Sequence, residues 1–86
     1  MQKIRPDMDI GGNIRKLRKA RKMRQDDVVA QMQLHGIEIT RGTYAKIETN
    51  LMNIRVSELV VLKIIFDCGY EDFFVGLELK ADEEGK

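Results

Sequence analysis

The sequence has no tryptophan, one proline, one histidine and one cysteine among its 86 residues, and each scarcity excludes something. Cys68 has no partner for an intramolecular disulfide, so the chain does not read as a secreted disulfide scaffold. His35 sits in a turn, far along the chain from Cys68, and a zinc site would lack ligands. The same separation leaves Cys68 without a histidine to activate it, so it reads as core rather than nucleophile. No metal and no cofactor are expected. Pro6 lies near the start, which leaves the rest of the chain free of the strongest helix breaker. No stretch approaches the roughly 18 apolar residues that would span a bilayer. The opening MQKIRPDMDIGG lacks the apolar run of a signal peptide, so the protein is read as cytoplasmic, with no membrane partner. There is no phosphate loop, nucleophile elbow or paired acid and base, and an enzyme is not expected.

What the chain does have is length for one domain, 43% apolar and 34% charged residues, and a polar division of charge. Residues 1–55 carry 12 Lys/Arg against 6 Asp/Glu, a net of +6, whereas residues 56–86 carry 3 against 8, a net of −5. That division permits a basic face toward a polyanion and an acidic opposite end. The run from Arg15 to Arg24 holds seven basic residues and no acid. Much of it, Arg15 and Lys16 in particular, reads as a solvated helix face; Arg24 and the end of the helix are better placed to meet an anion.

Apolar periodicity predicts an all-α, compact five-helix domain over residues 10–77, between a flexible arm (1–9) and an acidic tail (78–86). The first helix runs from about Ile10 to Lys22 with Asp9 as N-cap, burying Ile10, Ile14 and Leu17. The second runs from about Gln25 to Leu34 with Asp26 and Asp27 in its first turn, Val28, Val29 and Met32 inward, and Gly36 as a left-handed stop. The third runs from Arg41 to about Thr49, capped by Thr40. At 100° per residue Thr40, Thr43, Tyr44, Ile47 and Leu51 share one side, and Arg41, Gly42, Ala45, Lys46 and Thr49 the other. The fourth runs from Ser57, as N-cap, to Cys68, with Gly69 just past it, and is apolar nearly all round, which places it centrally or at an interface. A short fifth segment covers Glu71 to Gly76.

The functional signal is the helix pair 25–34 and 41–49. The outward face of its second member is small, polar and basic, which suits the major groove of duplex DNA, where base edges offer distinct donors and acceptors. Here the sequence resembles the XRE-like family of Cro and phage-repressor helix-turn-helix domains, over residues 10–77. The resemblance lies in IGGNIRKLRKARKMRQDDVV, in ITRGTYAKIETN as the recognition helix, and in LVVLKIIFDCGYEDFF as the ending.

The resemblance implies a lambda repressor-like fold and a DNA-binding transcriptional regulator of repressor type. Gln25 would touch a phosphate and brace the recognition helix. Thr40, Arg41, Gly42, Thr43 and Lys46 would face the groove, with Thr49 at the edge of that face and Arg41 placed for a bidentate contact to guanine. Asn50, Asn53 and Arg55 would hold the sugar-phosphate backbone. Arg18 and Glu48 would form a structural ion pair between the first and third helices. Arg24 replaces the usual serine or threonine cap and is well placed for a phosphate, and QLHGIE makes the turn longer than the family's tight one. A single such domain reads few base pairs, so a homodimer on a palindromic operator of double-stranded DNA is expected, with Ile64, Phe74, Leu77 and Leu79 at the dimer interface. The alternative is a protein-interaction or antitoxin-type module that keeps the fold; its outward face on the third helix would be apolar or acidic.

Overall fold

The expected helical segments form because their apolar residues recur at one-turn spacing and their first turns hold side chains that accept free backbone N–H groups. In the computed structural model, which describes residues 3–4 and 8–77, α1 spans Ile10–Ala20, α2 Gln25–Leu34, α3 Arg41–Glu48 and α4 Val56–Phe66. The fifth segment is not an α-helix but a single 3-10 turn, Tyr70–Phe74. The fold is all-α apart from two short strands, β1 (Lys3–Ile4) and β2 (Ile54–Arg55), which pair antiparallel with Lys3 opposite Arg55 and Ile4 opposite Ile54. Within the arm expected to be free, Lys3–Ile4 therefore pairs with the segment that leads into α4. The tail 78–86 lies outside the described residues.

The N-caps divide into expected and unexpected. Asp9 Oδ1 accepts from Gly12 N at 2.9 Å, and Thr40 Oγ1 accepts from Thr43 N at 3.2 Å, as capping chemistry predicts. Helix α4 starts two residues earlier than Ser57 as cap would require: the buried Glu58 reaches back 2.7 Å to Arg55 N and makes Arg55 the cap residue. Asp27 does the same for Arg24 N at 2.8 Å. In both cases the acid three residues in accepts from the cap residue's own backbone N–H, its half of a capping box, while the arginine side chain, having no acceptor, cannot supply the other half.

The C-termini share one device. A residue of positive φ follows the last turn (Lys22 at 58°, Gly36 at 87°, Asn50 at 63°, Asp67 at 51°). The next N–H then closes on the carbonyl five residues back: Met23 on Arg18 at 3.2 Å, Ile37 on Met32 at 3.0 Å, Leu51 on Lys46 at 2.8 Å, Cys68 on Lys63 at 3.3 Å. This is the Schellman closure. Only Gly36 announces it by residue type. Helix α1 thus ends at Ala20 rather than Lys22, and α4 ends at Phe66 ahead of Asp67 rather than at Cys68. The stop at Asn50 also takes Leu51 out of helical phase, so Leu51 is 73% exposed rather than inward.

Helix α1 packs on α3 and on the 3-10 turn, and α2 packs on α3 and α4. The core they enclose contains Ile14, Val28, Met32, Tyr44, Ile54, Leu62, Phe66 and Phe73, all buried. Polar side chains tie the layers: Asn13 Nδ2 donates to the carbonyls of Phe73 (2.8 Å) and Val75 (3.0 Å), and Arg21 donates from Nε to Phe66 O (2.7 Å) and from Nη2 to Asp67 O (3.0 Å). The end of α4 is thereby capped from α1.

The tightest approach is at Gly11, where a Cβ would stand 2.4 Å from Ile47 O and 2.5 Å from Glu48 O. Gly11→Ala is expected to lower the free energy of unfolding by about 1–3 kcal/mol, because backbone carbonyls cannot move aside as a side chain can. Gly42→Ala, whose Cβ would meet nothing nearer than 3.9 Å, should raise it by up to about 1 kcal/mol through helix propensity. Urea unfolding of the two variants reads both effects, and a neutral Gly11→Ala would contradict the close packing of α1 on α3.

Candidate nucleic-acid interface

Helix α3 divides as its phase predicts. Tyr44, Ile47 and Glu48 are buried, whereas Arg41, Gly42, Lys46 and Thr49 are exposed and Thr43 and Ala45 are half-buried. Thr40 is exposed and its hydroxyl is engaged as the cap, donating in turn to Thr43 Oγ1 at 3.2 Å. The Thr49 hydroxyl lies 3.2 Å from the carbonyls of both Ala45 and Lys46, so it caps its own helix end.

Beneath this face the expected pair between α1 and α3 is present and buried. Arg18 Nε donates to Glu48 Oε2 at 2.7 Å and Nη2 to Oε1 at 3.0 Å, with side-chain exposures of 10% and 2%. Arg18 Nη1 donates to Met23 O at 3.0 Å, and Gln25 Nε2 donates to Glu48 Oε1 at 3.1 Å. Gln25 is thus the brace from α2 onto α3. Burial alone would raise the Glu48 pKa, but the hydrogen bonds from Arg18 and Gln25 outweigh it and hold the carboxyl below its ordinary value. The hydrogen-bonded Glu48 carboxylate raises the Arg18 pKa in turn. Tyr44 lies buried nearby, its hydroxyl without a hydrogen-bond partner among the described residues. Burial pushes its phenol well above its usual range, and the Glu48 carboxylate pushes the same way.

Around the face, Asn53 and Arg55 are exposed and line a hollow of about 490 Å³ together with Thr43 and Glu38. Arg24 is exposed at the start of α2, its Nε 3.5 Å from Asp27 Oδ2. Asn50 departs from its expected role. Its Oδ1 accepts from Gly11 N at 2.9 Å and its Nδ2 donates to Asp9 Oδ1 at 2.7 Å, so it latches the start of α1 to the end of α3. That bond, and the one from Gly12 N, hold the Asp9 carboxyl below its ordinary pKa.

Sequence reasoning passed over two contributors. Asp26 Oδ1 stands 3.3 Å from Arg41 Nε; as a first-turn acid it was explained by the helix dipole alone. Gln33 Nε2 donates to Ile39 O at 2.9 Å and braces the long turn 35–40, and nothing local marks it.

Of the residues expected at a dimer interface, Ile64 (54%) and Phe74 (42%) are exposed. Leu77 is half-buried and packs partly against the core, and Leu79 lies outside the described residues. Val56 and Val60 continue the Ile64 stripe one turn apart along α4 and are also exposed. Comparison with protein-family models, with curated proteins and with solved structures gives no match. Among the described residues no group of three His, Cys, Asp or Glu could hold a metal ion, and no helix is long and apolar enough to cross a membrane.

Two predictions follow from the buried pair. Glu48→Ala should cost about 3–5 kcal/mol by leaving Arg18 uncompensated in the interior, and thermal melts of Glu48→Ala, Arg18→Ala and the double variant should be strongly non-additive. Because the folded carboxyl titrates below its ordinary 4.5, the stability Glu48 contributes is present in full above that value. It is lost as pH falls through the depressed folded value. Glu48→Gln should therefore show a shallower loss of stability than the wild type between roughly pH 5 and pH 3, and parallel pH profiles would show that Glu48 is not held as described.

Proposed function

We propose that this protein is a sequence-specific DNA-binding regulator of the helix-turn-helix, XRE-like class, with α3 lying in the major groove. One observation carries the reading: α3 is anchored from beneath by buried charge, while the face it turns outward is free of large apolar groups and holds Arg41, Gly42 and Lys46. A groove-reading helix needs that combination of small residues for close approach and long donors for base edges. Arg24, Asn53 and Arg55, exposed on either side, are suited to phosphates, and the net charge of +6 over residues 1–55 favours a polyanion. An apolar or acidic outward face, which a protein-docking version of the fold would need, is absent from α3.

A single helix of this length reads few base pairs, so the protein acts as a homodimer on half-sites about 34 Å apart. The exposed Val56, Val60 and Ile64 stripe of α4 supports a dimer through that helix, and Phe74 is exposed as well.

Selection from a random DNA pool should yield a palindromic consensus, and affinity for it should fall with salt at a log–log slope of about −0.9 per phosphate contact. Lys46→Ala should weaken all sequences alike and reduce that slope by about one contact per half-site. Arg41→Ala should instead relax preference at one position by about 1–3 kcal/mol with the slope nearly unchanged. No selected sequence, or a flat salt response, would refute the assignment. Light scattering should give a dimer for the wild type and a monomer for Ile64→Glu; a wild type monomeric at micromolar concentration with and without DNA would remove the dimer.

A further inference from the structure

The outward face of α3 carries two cations in different surroundings. Lys46 makes no ion pair among the described residues, whereas Arg41, in the first turn of α3, has Asp26 of α2 at 3.3 Å from its Nε. Both side chains of the pair are about two-thirds exposed, 65% and 66%, so in the free protein the contact contributes little to stability. Its position is the informative feature. A carboxylate on a surface suited to phosphates repels them, and the helix dipole accounts for an acid in the first turn of α2 but not for its contact with Arg41.

Geometry supplies one. The guanidinium is planar and carries its donors in a fixed fork. A carboxylate at Nε occupies the stem side of that fork and leaves the two terminal nitrogens free, and two parallel N–H donors are what the O6 and N7 acceptors of guanine require. Asp26 can act as a fixed point because α2 and α3 are themselves joined at its neighbour: Gln25 Nε2 donates to Glu48 Oε1 at 3.1 Å. The first-turn position of Asp26 also favours its ionised form. On the DNA-binding reading above, we propose that Asp26 is a positioning residue that orients Arg41 for one guanine and so raises discrimination at the expense of general affinity. Held by Asp26, the long arginine enters the groove with fewer rotamers to lose, and a base other than guanine leaves its fork unmatched.

The test uses the whole protein with the selected consensus and its single-base variants at two salt concentrations. Circular dichroism checks that each variant is folded. Asp26→Ala should reduce discrimination at the one half-site position read by Arg41 by about threefold to tenfold. It should leave the other positions unchanged and strengthen binding to unrelated DNA. Asp26→Asn, which keeps the acceptor without the charge, should retain most of the discrimination while also gaining general affinity. In an Arg41→Ala background, Asp26→Ala should change no base preference. Discrimination that survives Asp26→Ala but is lost in Arg41→Ala would overturn the positioning role and leave the DNA-binding reading standing. An equal loss from Asp26→Ala with and without Arg41 would overturn it too. A wild type with no sequence preference would overturn the reading itself, and this inference with it, before any Asp26 variant is made.

Discussion

Everything about α3 depends on the buried contact between Arg18 and Glu48. Taking a guanidinium and a carboxylate out of water is costly unless the partners satisfy one another fully. Here the two parallel bonds, the Met23 carbonyl and the Gln25 amide occupy all three guanidinium nitrogens and both carboxylate oxygens. Three helices therefore meet at one charged point. If α3 slid or rolled relative to α1 and α2, a charge would be left unpaired in the interior, so the arrangement has one low-energy register rather than several.

The contacts around this point reinforce the same geometry. Gly11 lets the backbone of α1 come against the last carbonyls of α3, and the Asn50 amide bridges the two at the surface. The pinned end of α3 is its C-terminal one. Its N-terminal half, with Thr40, Arg41 and Gly42, is exposed; it holds its shape through its cap and meets α2 at the Arg41–Asp26 contact. A helix that must present side chains to an external template needs this asymmetry, because rigidity in the support lowers the entropy lost on docking. The long turn does not loosen the pair of helices: Ile39 is buried, and Gln33 and the Ile37–Met32 bond hold the chain on either side of Gly36.

The four helices, the inward stripes of α1, α2 and α3, and the caps at Asp9 and Thr40 were legible from sequence because they depend on neighbours three or four residues away. The Arg18–Glu48 pair was legible only through resemblance, since nothing in the spacing of residues thirty apart demands contact. Other features were misread for a common reason. Ser57 is a better cap by type than Arg55, yet Glu58 reverses the order by reaching back to the backbone. Asn50 is a reasonable phosphate donor by type, yet its amide faces a glycine N–H and a carboxylate from α1. The fifth segment has apolar residues enough for a helix but is anchored through its carbonyls by Asn13 after one 3-10 turn.

By itself the sequence determined an all-α chain, the division of α3 into a buried and a polar face, and the concentration of positive charge in its first 55 residues. Each of these follows from periodicity, capping or composition, which act over a few residues or over none. The tertiary structure alone decided that Gly11 must be glycine, that Lys22, Asn50 and Asp67 turn left-handed where glycine is usual, that Asn50 turns its amide to the start of α1, and that Asp26 meets Arg41. These outcomes depend on which backbones approach one another, and that distance is set by the packing of α1 and α2 around the buried charge on α3.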